Sequence, residues 1–162
     1  MISEFSAELV VDAGNILGEC VLWDSKLKCL NWVDIDGSKF LEYHPATEET
    51  SVWQLPERAG SFCYCTGRSP RTYLFAFERG LAFYNLETHS FERIQDFEHE
   101  LPATRLNDGR VDRKGRFVVG GYNEAGNDPI SNVYRVNADG TGVCLLIPHV
   151  ACANSICFSL DG

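Results

Sequence analysis

The sequence predicts an all-β fold built from repeated four-strand units, the arrangement of a β-propeller. Three observations carry this. Helix signals are nearly absent, with no long stretch holding apolar residues at i, i+3, i+4 and i+7. Short runs rich in β-branched and aromatic residues recur instead, parted by turn dipeptides such as Asp36-Gly37, Lys114-Gly115, Asp139-Gly140 and Asp161-Gly162. And the runs group in fours, with the turn after each first strand falling near Asp24, Thr66, Asp112 and Asp161, at intervals of 42, 46 and 49 residues.

Taken in order, the expected strands of the first unit are Cys20–Trp23, Cys29–Ile35, Phe40–His44 and Ser51–Leu55. Those of the second are Ser61–Thr66, Thr72–Glu78, Leu81–Asn85 and Phe91–Ile94. Gly109–Asp112, Phe117–Tyr122, Asn132–Val136 and Val143–Ile147 form the third, and Ser155–Ser159 opens a fourth. The third unit repeats the first closely. Val21-Leu22-Trp23-Asp24 answers to Gly109-Arg110-Val111-Asp112, and Leu30-Asn31-Trp32-Val33-Asp34 answers to Arg116-Phe117-Val118-Val119-Gly120. A sandwich meander does not require such unit-by-unit similarity. About three blades and one strand do not close a ring, because propellers typically use about 4–8 blades. Residues 1–162 are therefore expected to be the N-terminal part of a single propeller domain, an incomplete one.

Composition narrows the function. The chain has 162 residues, 44% of them hydrophobic and 23% charged, which is ordinary for a globular protein. Its 23 acidic residues outnumber 14 basic ones for a net charge of −9, and no Lys/Arg cluster offers a nucleic-acid surface. No apolar run approaches the roughly 20 residues of a membrane helix. Glu4, Glu8, Asp12 and Glu19 interrupt the first twenty residues, unlike a signal peptide. Seven cysteines, mostly inside apolar runs, read as reduced thiols of the cytosol acting as small hydrophobes. Cys63 and Cys65 would share a face of one strand, but they lack the spacing and second pair of a zinc site.

In a propeller the innermost strands line the channel, so polar residues at their heads converge there. Glu19, Asn107 and Asn154 open their units at matching places, with Arg105 beside Asn107, whereas the second unit offers only Ala59-Gly60-Ser61. Glu19 and Asn154 supply hard oxygen donors, which suit Ca²⁺, Mg²⁺ or Mn²⁺, with Zn²⁺ open through carboxylate oxygen. Each residue alone also has a plain structural reading. Asn107-Asp108-Gly109 resembles a tight turn, and the recurring Asp24, Asp112 and Asp161 read as turn formers. His44, His89, His99 and His149 stand away from the strand heads and read as solvated.

At these residues the chain resembles the gluconolactonase/regucalcin family, also called the senescence marker protein or luciferin-regenerating-enzyme-like family. The matching stretches are Leu17 to Asp24, Asn31 to Ile35, Arg105 to Asp112, Gly115 to Gly120 and Ala153 to Ser159. Arg-x-Asn-Asp-Gly-x-x-Asp, followed by Gly-Arg-Phe, is the most specific of them. The resemblance implies a six-bladed propeller with one divalent metal ion in its channel and hydrolysis of sugar lactones of the aldonolactone type to the aldonic acid. It implies metal ligation by Glu19 and Asn154, and substrate binding by Arg105, Asn107 and Glu124. Cys20 and Ser155 stand where the family often has smaller residues. The family's third ligand, an Asp that is also the general base, belongs to a later blade, so residues 1–162 are expected to be inactive alone. The alternative is a calcium-binding regulatory protein of the regucalcin kind. Arg105 with Asn107 argues for the enzyme, since an ion binder needs no cationic clamp over its metal. A propeller serving only as an interaction scaffold is a third reading, under which neither Glu19 nor Asn154 would matter.

Overall fold

A computed structural model describes residues 6–162; Glu4, part of the acidic start noted above, lies outside the described residues. Among the described residues twelve strands form three sheets, and each sheet is a meander of four consecutive antiparallel strands. The first blade holds β1 (Gly18–Asp24), β2 (Cys29–Asp34), β3 (Lys39–His44) and β4 (Glu49–Gln54). The second holds β5 (Ala59–Tyr64), β6 (Thr72–Phe77), β7 (Gly80–Asn85) and β8 (Phe91–Asp96). In the third are β9 (Thr104–Val111), β10 (Phe117–Asn123), β11 (Ser131–Val136) and β12 (Val143–Val150). This is part of a propeller, as the repeat predicts.

The turns are made by side chains that accept backbone hydrogens. Asp24 Oδ1 accepts from the amides of Lys26 and Leu27 at 2.8 and 3.0 Å. Asp112 Oδ1 accepts from Lys114 and Arg116, at 2.8 and 2.9 Å, so the recurring Asp closes the first turn of blades one and three. Asp34 does more. Its buried carboxylate accepts from the amides of Ile16, Leu17 and Gly37 and ties the incoming chain to β2. Burial pushes this carboxyl up, but the three backbone donors outweigh it and hold it below the usual range. Asp34→Ala is expected to lower unfolding free energy by about 2 kcal/mol by stranding those donors, with Asp34→Asn costing about half as much in urea titration.

The blades pack through aromatic side chains. Phe40 of β3 is fully buried and reaches into the second blade, with ring centroids 5.0 Å from both Phe62 and Tyr73 and 5.7 Å from Phe75. A second apolar cluster, including Leu74, Leu81, Leu106, Phe117 and Val119, joins blades two and three. The inner strands β5 and β9 approach at van der Waals distance. A Cβ on Gly60 would lie 2.5 Å from the Asn107 carbonyl oxygen, so this position has no room for a side chain.

Each inner strand is irregular near its head. In β1, Glu19 pairs with Val33 and Leu22 with Asn31, so Cys20 and Val21 together oppose Trp32. In β9, Leu106 pairs with Gly121 and Gly109 with Val119, so Asn107 and Asp108 oppose Gly120. Strand β5 shifts register between Ala59 and Ser61. These are β-bulges, which commonly re-aim a side chain beside a site.

Three expectations change. Asn107 and Asp108 form a bulge inside β9, which begins at Thr104, and not a tight turn before it. Ser155–Ser159 is not a strand. Its backbone is held by β9 and the turn after it, through Ile156 N to Asp108 Oδ2 at 2.6 Å and Arg113 Nε to the Ser159 carbonyl at 3.3 Å, with no ladder partner among the described residues. The cysteines divide, since Cys20, Cys29 and Cys63 are buried whereas Cys144, Cys152 and Cys157 are exposed. Among the described residues no helix is long and apolar enough to cross a membrane.

Candidate functional site

The head of β9 buries three polar residues close together, Thr104, Arg105 and Asn107. Arg105 pairs with Tyr122 across the β9–β10 ladder, is 5% exposed, and places its guanidinium 5.1 Å from the Tyr122 ring centroid. A buried guanidinium needs partners. Nε donates to Glu124 Oε1 at 3.0 Å, and Nη1 donates to Asn107 Oδ1 at 2.7 Å and to the Leu106 carbonyl at 3.1 Å. Asn107 in turn donates from Nδ2 to the Ala153 carbonyl at 2.8 Å, while its own carbonyl accepts from Ser61 Oγ at 2.8 Å. Arg105, Asn107 and Glu124 thus form one hydrogen-bonded group, with Glu124 placed by the end of β10 immediately before it.

Glu124 has a second cation that sequence reasoning missed. Arg58, one residue ahead of β5, forks onto both carboxylate oxygens at 2.9 and 2.8 Å. Its Nε donates to Glu78 Oε2 at 2.9 Å, and Asp36 stands 3.5 Å away. The fork from Arg58 is the main reason the Glu124 carboxyl lies below its usual range; burial opposes it and Arg105 adds to it. Glu78 and Glu124 raise the Arg58 pKa further, so the guanidinium stays charged. The second unit does contribute a polar strand head, but from Arg58 in place of Ala59-Gly60-Ser61. The signal was an Arg directly before a strand whose counterparts open with Glu19 and Arg105.

Glu19 lies at the head of β1 and Asn154 in the extended segment after β12, both exposed. Each is followed by a residue with left-handed backbone, Cys20 at φ 54° and Ser155 at φ 58°. That conformation favours glycine, so the two non-glycine residues mark backbone turned deliberately at equivalent places. Cys20 is anchored there by its thiol, 3.8 Å from the Phe62 carbonyl, and burial pushes that thiol up to about 11. Asn154 adjoins Ala153, whose carbonyl Asn107 holds. The amide oxygen of Asn154 accepts only from the neighbouring Ser155 amide among the described residues, and Glu19 has no side-chain bond among them. Two exposed oxygen donors with acceptor sites to spare fit an oxygen-preferring divalent cation in kind, though two donors alone do not complete its shell. No hydrogen bond joins Glu19 to Asn154, or either side chain to the Arg105 group, among the described residues.

A further donor set lies away from the strand heads. Cys29, Glu42 and His44 present ligand-type atoms within 4.8 Å of one another. Glu42 is 1% exposed, and its oxygens are taken by Arg71 Nη1, by Asn31 Nδ2 at 3.2 Å and by His44 Nε2 at 2.9 Å. Arg71 already supplies the cation that Glu42 needs, so the cluster reads as an ion-pair tie between blades one and two. This corrects the solvated reading of His44. His89 is exposed, as the solvated reading has it, with its Nδ1 2.8 Å from the Tyr84 hydroxyl.

The sequence profile of the SMP-30/gluconolactonase/LRE-like region matches residues 17–162. The chain belongs to that family. L-arabinolactonase of Azospirillum brasilense is 40% identical over 158 residues, covering 96% of this chain and 52% of the relative. Regucalcin of Xenopus laevis is 30% identical over 118 residues, covering 73% of this chain and 38% of the relative. Among solved structures, a calcium-binding protein, regucalcin, from Agrobacterium tumefaciens superposes with a TM-score of 0.86 at 26% identity, over 98% of this chain and 52% of that one. A luciferin-regenerating enzyme superposes at 0.83 with 25% identity, over 91% of this chain and 50% of that one. The chain covers between 38% and 52% of the length of these family members.

Proposed function

We propose that the chain carries the substrate-gripping part of a sugar-lactone hydrolase acting on aldonolactones. The observation that carries this is the buried Arg105 bonded to both Asn107 and Glu124 at the head of an inner strand. Lactone hydrolysis adds water to a ring carbonyl and breaks the ring C–O bond, leaving a carboxylic acid and a hydroxyl. A guanidinium donor serves an oxygen that gains negative charge in that step, and its own hydrogen bonds fix it beforehand. Glu124 offers a carboxylate to the hydroxyls of the sugar, which orients the ring. Support comes from the A. brasilense relative, whose name is L-arabinolactonase.

Glu19 and Asn154 would hold the divalent ion, whether Ca²⁺, Mg²⁺, Mn²⁺ or Zn²⁺, which supplies Lewis-acid polarisation of a carbonyl when bound. No residue within 6–162 is assigned as general base. The seven free thiols support a reducing, cytosolic setting. The second reading, a calcium-binding protein, is favoured by the regucalcin relatives and by the oxygen character of Glu19 and Asn154. It leaves the buried arginine group without a task.

The test is hydrolysis of neutral aldonolactones by the full-length protein in the presence of each divalent ion. Arg105→Ala is expected to lower kcat/KM about 100-fold, the loss of one charge-assisted clamp. Residues 1–162 alone are expected to give no turnover. Ion binding with no turnover on any aldonolactone would favour the calcium-binding reading.

A further inference from the structure

We propose that Arg58 is a positioning residue that keeps the Arg105–Glu124 pair open for an uncharged polyhydroxy lactone, an inference that rests on the lactonase reading above. The geometry shows how. A carboxylate offers about four acceptor sites. Glu124 spends two on Oε1, for Arg58 Nη1 and Arg105 Nε, and one on Oε2, for Arg58 Nη2. One site on Oε2 is left. Arg105 spends Nε and Nη1 on Glu124, Asn107 and Leu106, and among the described residues nothing accepts from its Nη2. An unspent donor therefore stands beside an unspent acceptor. Neighbouring sugar hydroxyls, each both donor and acceptor, match that pair.

Arg58 is what keeps the pair unspent. The strongest arrangement for an isolated Arg105 and Glu124 is a two-pronged fork, which would use both free groups on each other. The fork from Arg58 turns the carboxylate so that Arg105 meets it through Nε alone. Arg58 is itself fixed from behind by Glu78 at 2.9 Å and by Asp36 at 3.5 Å, so it buttresses the site and is not a substrate contact.

The open pair sets the substrate class. A sugar hydroxyl satisfies both members, whereas a sulfonate accepts but has no hydrogen to give the free Glu124 oxygen, which leaves neutral polyols as the fit.

The experiment uses the full-length protein with a neutral aldonolactone and a sulfonated one. Arg58→Ala is expected to raise KM for the neutral lactone about tenfold with kcat within about twofold, because ground-state grip is lost. Arg58→Lys, which keeps the charge but not the fork, should recover less than half of that. The acid limb of 1/KM should move to higher pH in Arg58→Ala, as Glu124 loses the cation that depresses it while Arg105 remains. Adding Arg58→Ala to Glu124→Gln should change KM little, since the two act as one unit. Full additivity, an unmoved acid limb, or complete rescue by Lys would overturn the positioning role. Equal kcat/KM on the sulfonated lactone would overturn the substrate class. A separate arm follows the Glu124 carboxyl by ¹³C NMR titration, where an unchanged midpoint in Arg58→Ala overturns the inference whatever the turnover. Absence of turnover by the unaltered protein on every neutral lactone would instead sink the lactonase reading, with the carboxyl titration still deciding what Arg58 does.

Discussion

Arg71→Ala is expected to destabilise the protein by about 3 kcal/mol, because it leaves a buried carboxylate without its cation. Glu42 is 1% exposed, and Arg71 from the loop before β6 is the guanidinium bonded to it, with Asn31 and His44 completing its hydrogen bonds. In the native protein burial raises the Glu42 carboxyl, but the bonds from Arg71, His44 and Asn31 and the charge of Arg71 bring it below the usual range. A depressed carboxyl contributes stability above its unfolded value, near about pH 4.3, and loses it as pH falls through the folded value. Removing Arg71 leaves burial dominant, so the folded value rises above the unfolded one and the sign reverses. Urea unfolding at several pH values between about 6 and 3 should show the native protein losing stability below about pH 4.3 and Arg71→Ala regaining some above it. Arg71→Ala combined with Glu42→Gln should recover part of the loss, since a neutral amide costs less to bury. Parallel pH profiles for native and variant protein would refute the account.

Phe40→Ala should cost about 4 kcal/mol, within the range for deleting a buried aromatic ring. Phe40 is fully buried and is the side chain by which blade one enters the aromatic cluster of blade two, edge-on to Phe62 and Phe75 and tilted against Tyr73. Phe40→Leu, which keeps much of the volume, should cost about 1.5 kcal/mol. Thermal or urea unfolding reads both, and equal losses for the two variants would show that ring packing is not what the site supplies.

Strand order and blade count were legible in the sequence because the four-strand unit repeats and its turns are marked by Asp and Gly. The strand heads were legible only in part. Arg105, Asn107 and Glu124 come together, but the bulge that carries Asn107 looks like a turn when only Asn-Asp-Gly is read. Arg58 follows Pro56-Glu57 and reads as a loop charge until the fold brings it to Glu124, 66 positions away. Glu42 and His44 were obscured differently. They alternate with Leu41 and Tyr43 in β3, so a strand with one solvated face would put them outward, yet they share the Phe40 side and meet Arg71 from the next blade. Ser155–Ser159 shows the converse limit: its β-rich composition suggests a strand, but a strand also needs a neighbour to pair with.

The meander of each blade bears on how the chain reaches this state. Every ladder within a blade joins strands adjacent in the chain, so each sheet closes by short hairpins without waiting for distant segments. A blade can therefore zip up as it leaves the ribosome, before the next has been synthesised. The face that Phe40 and Glu42 present is then bare until Tyr73 and Arg71 arrive. During that interval a buried carboxylate and an aromatic knob are both in water, and the polar residue keeps the waiting surface from being wholly adhesive. The tie between Glu42 and Arg71 therefore belongs to the docking of one blade on the next, after each has closed on its own.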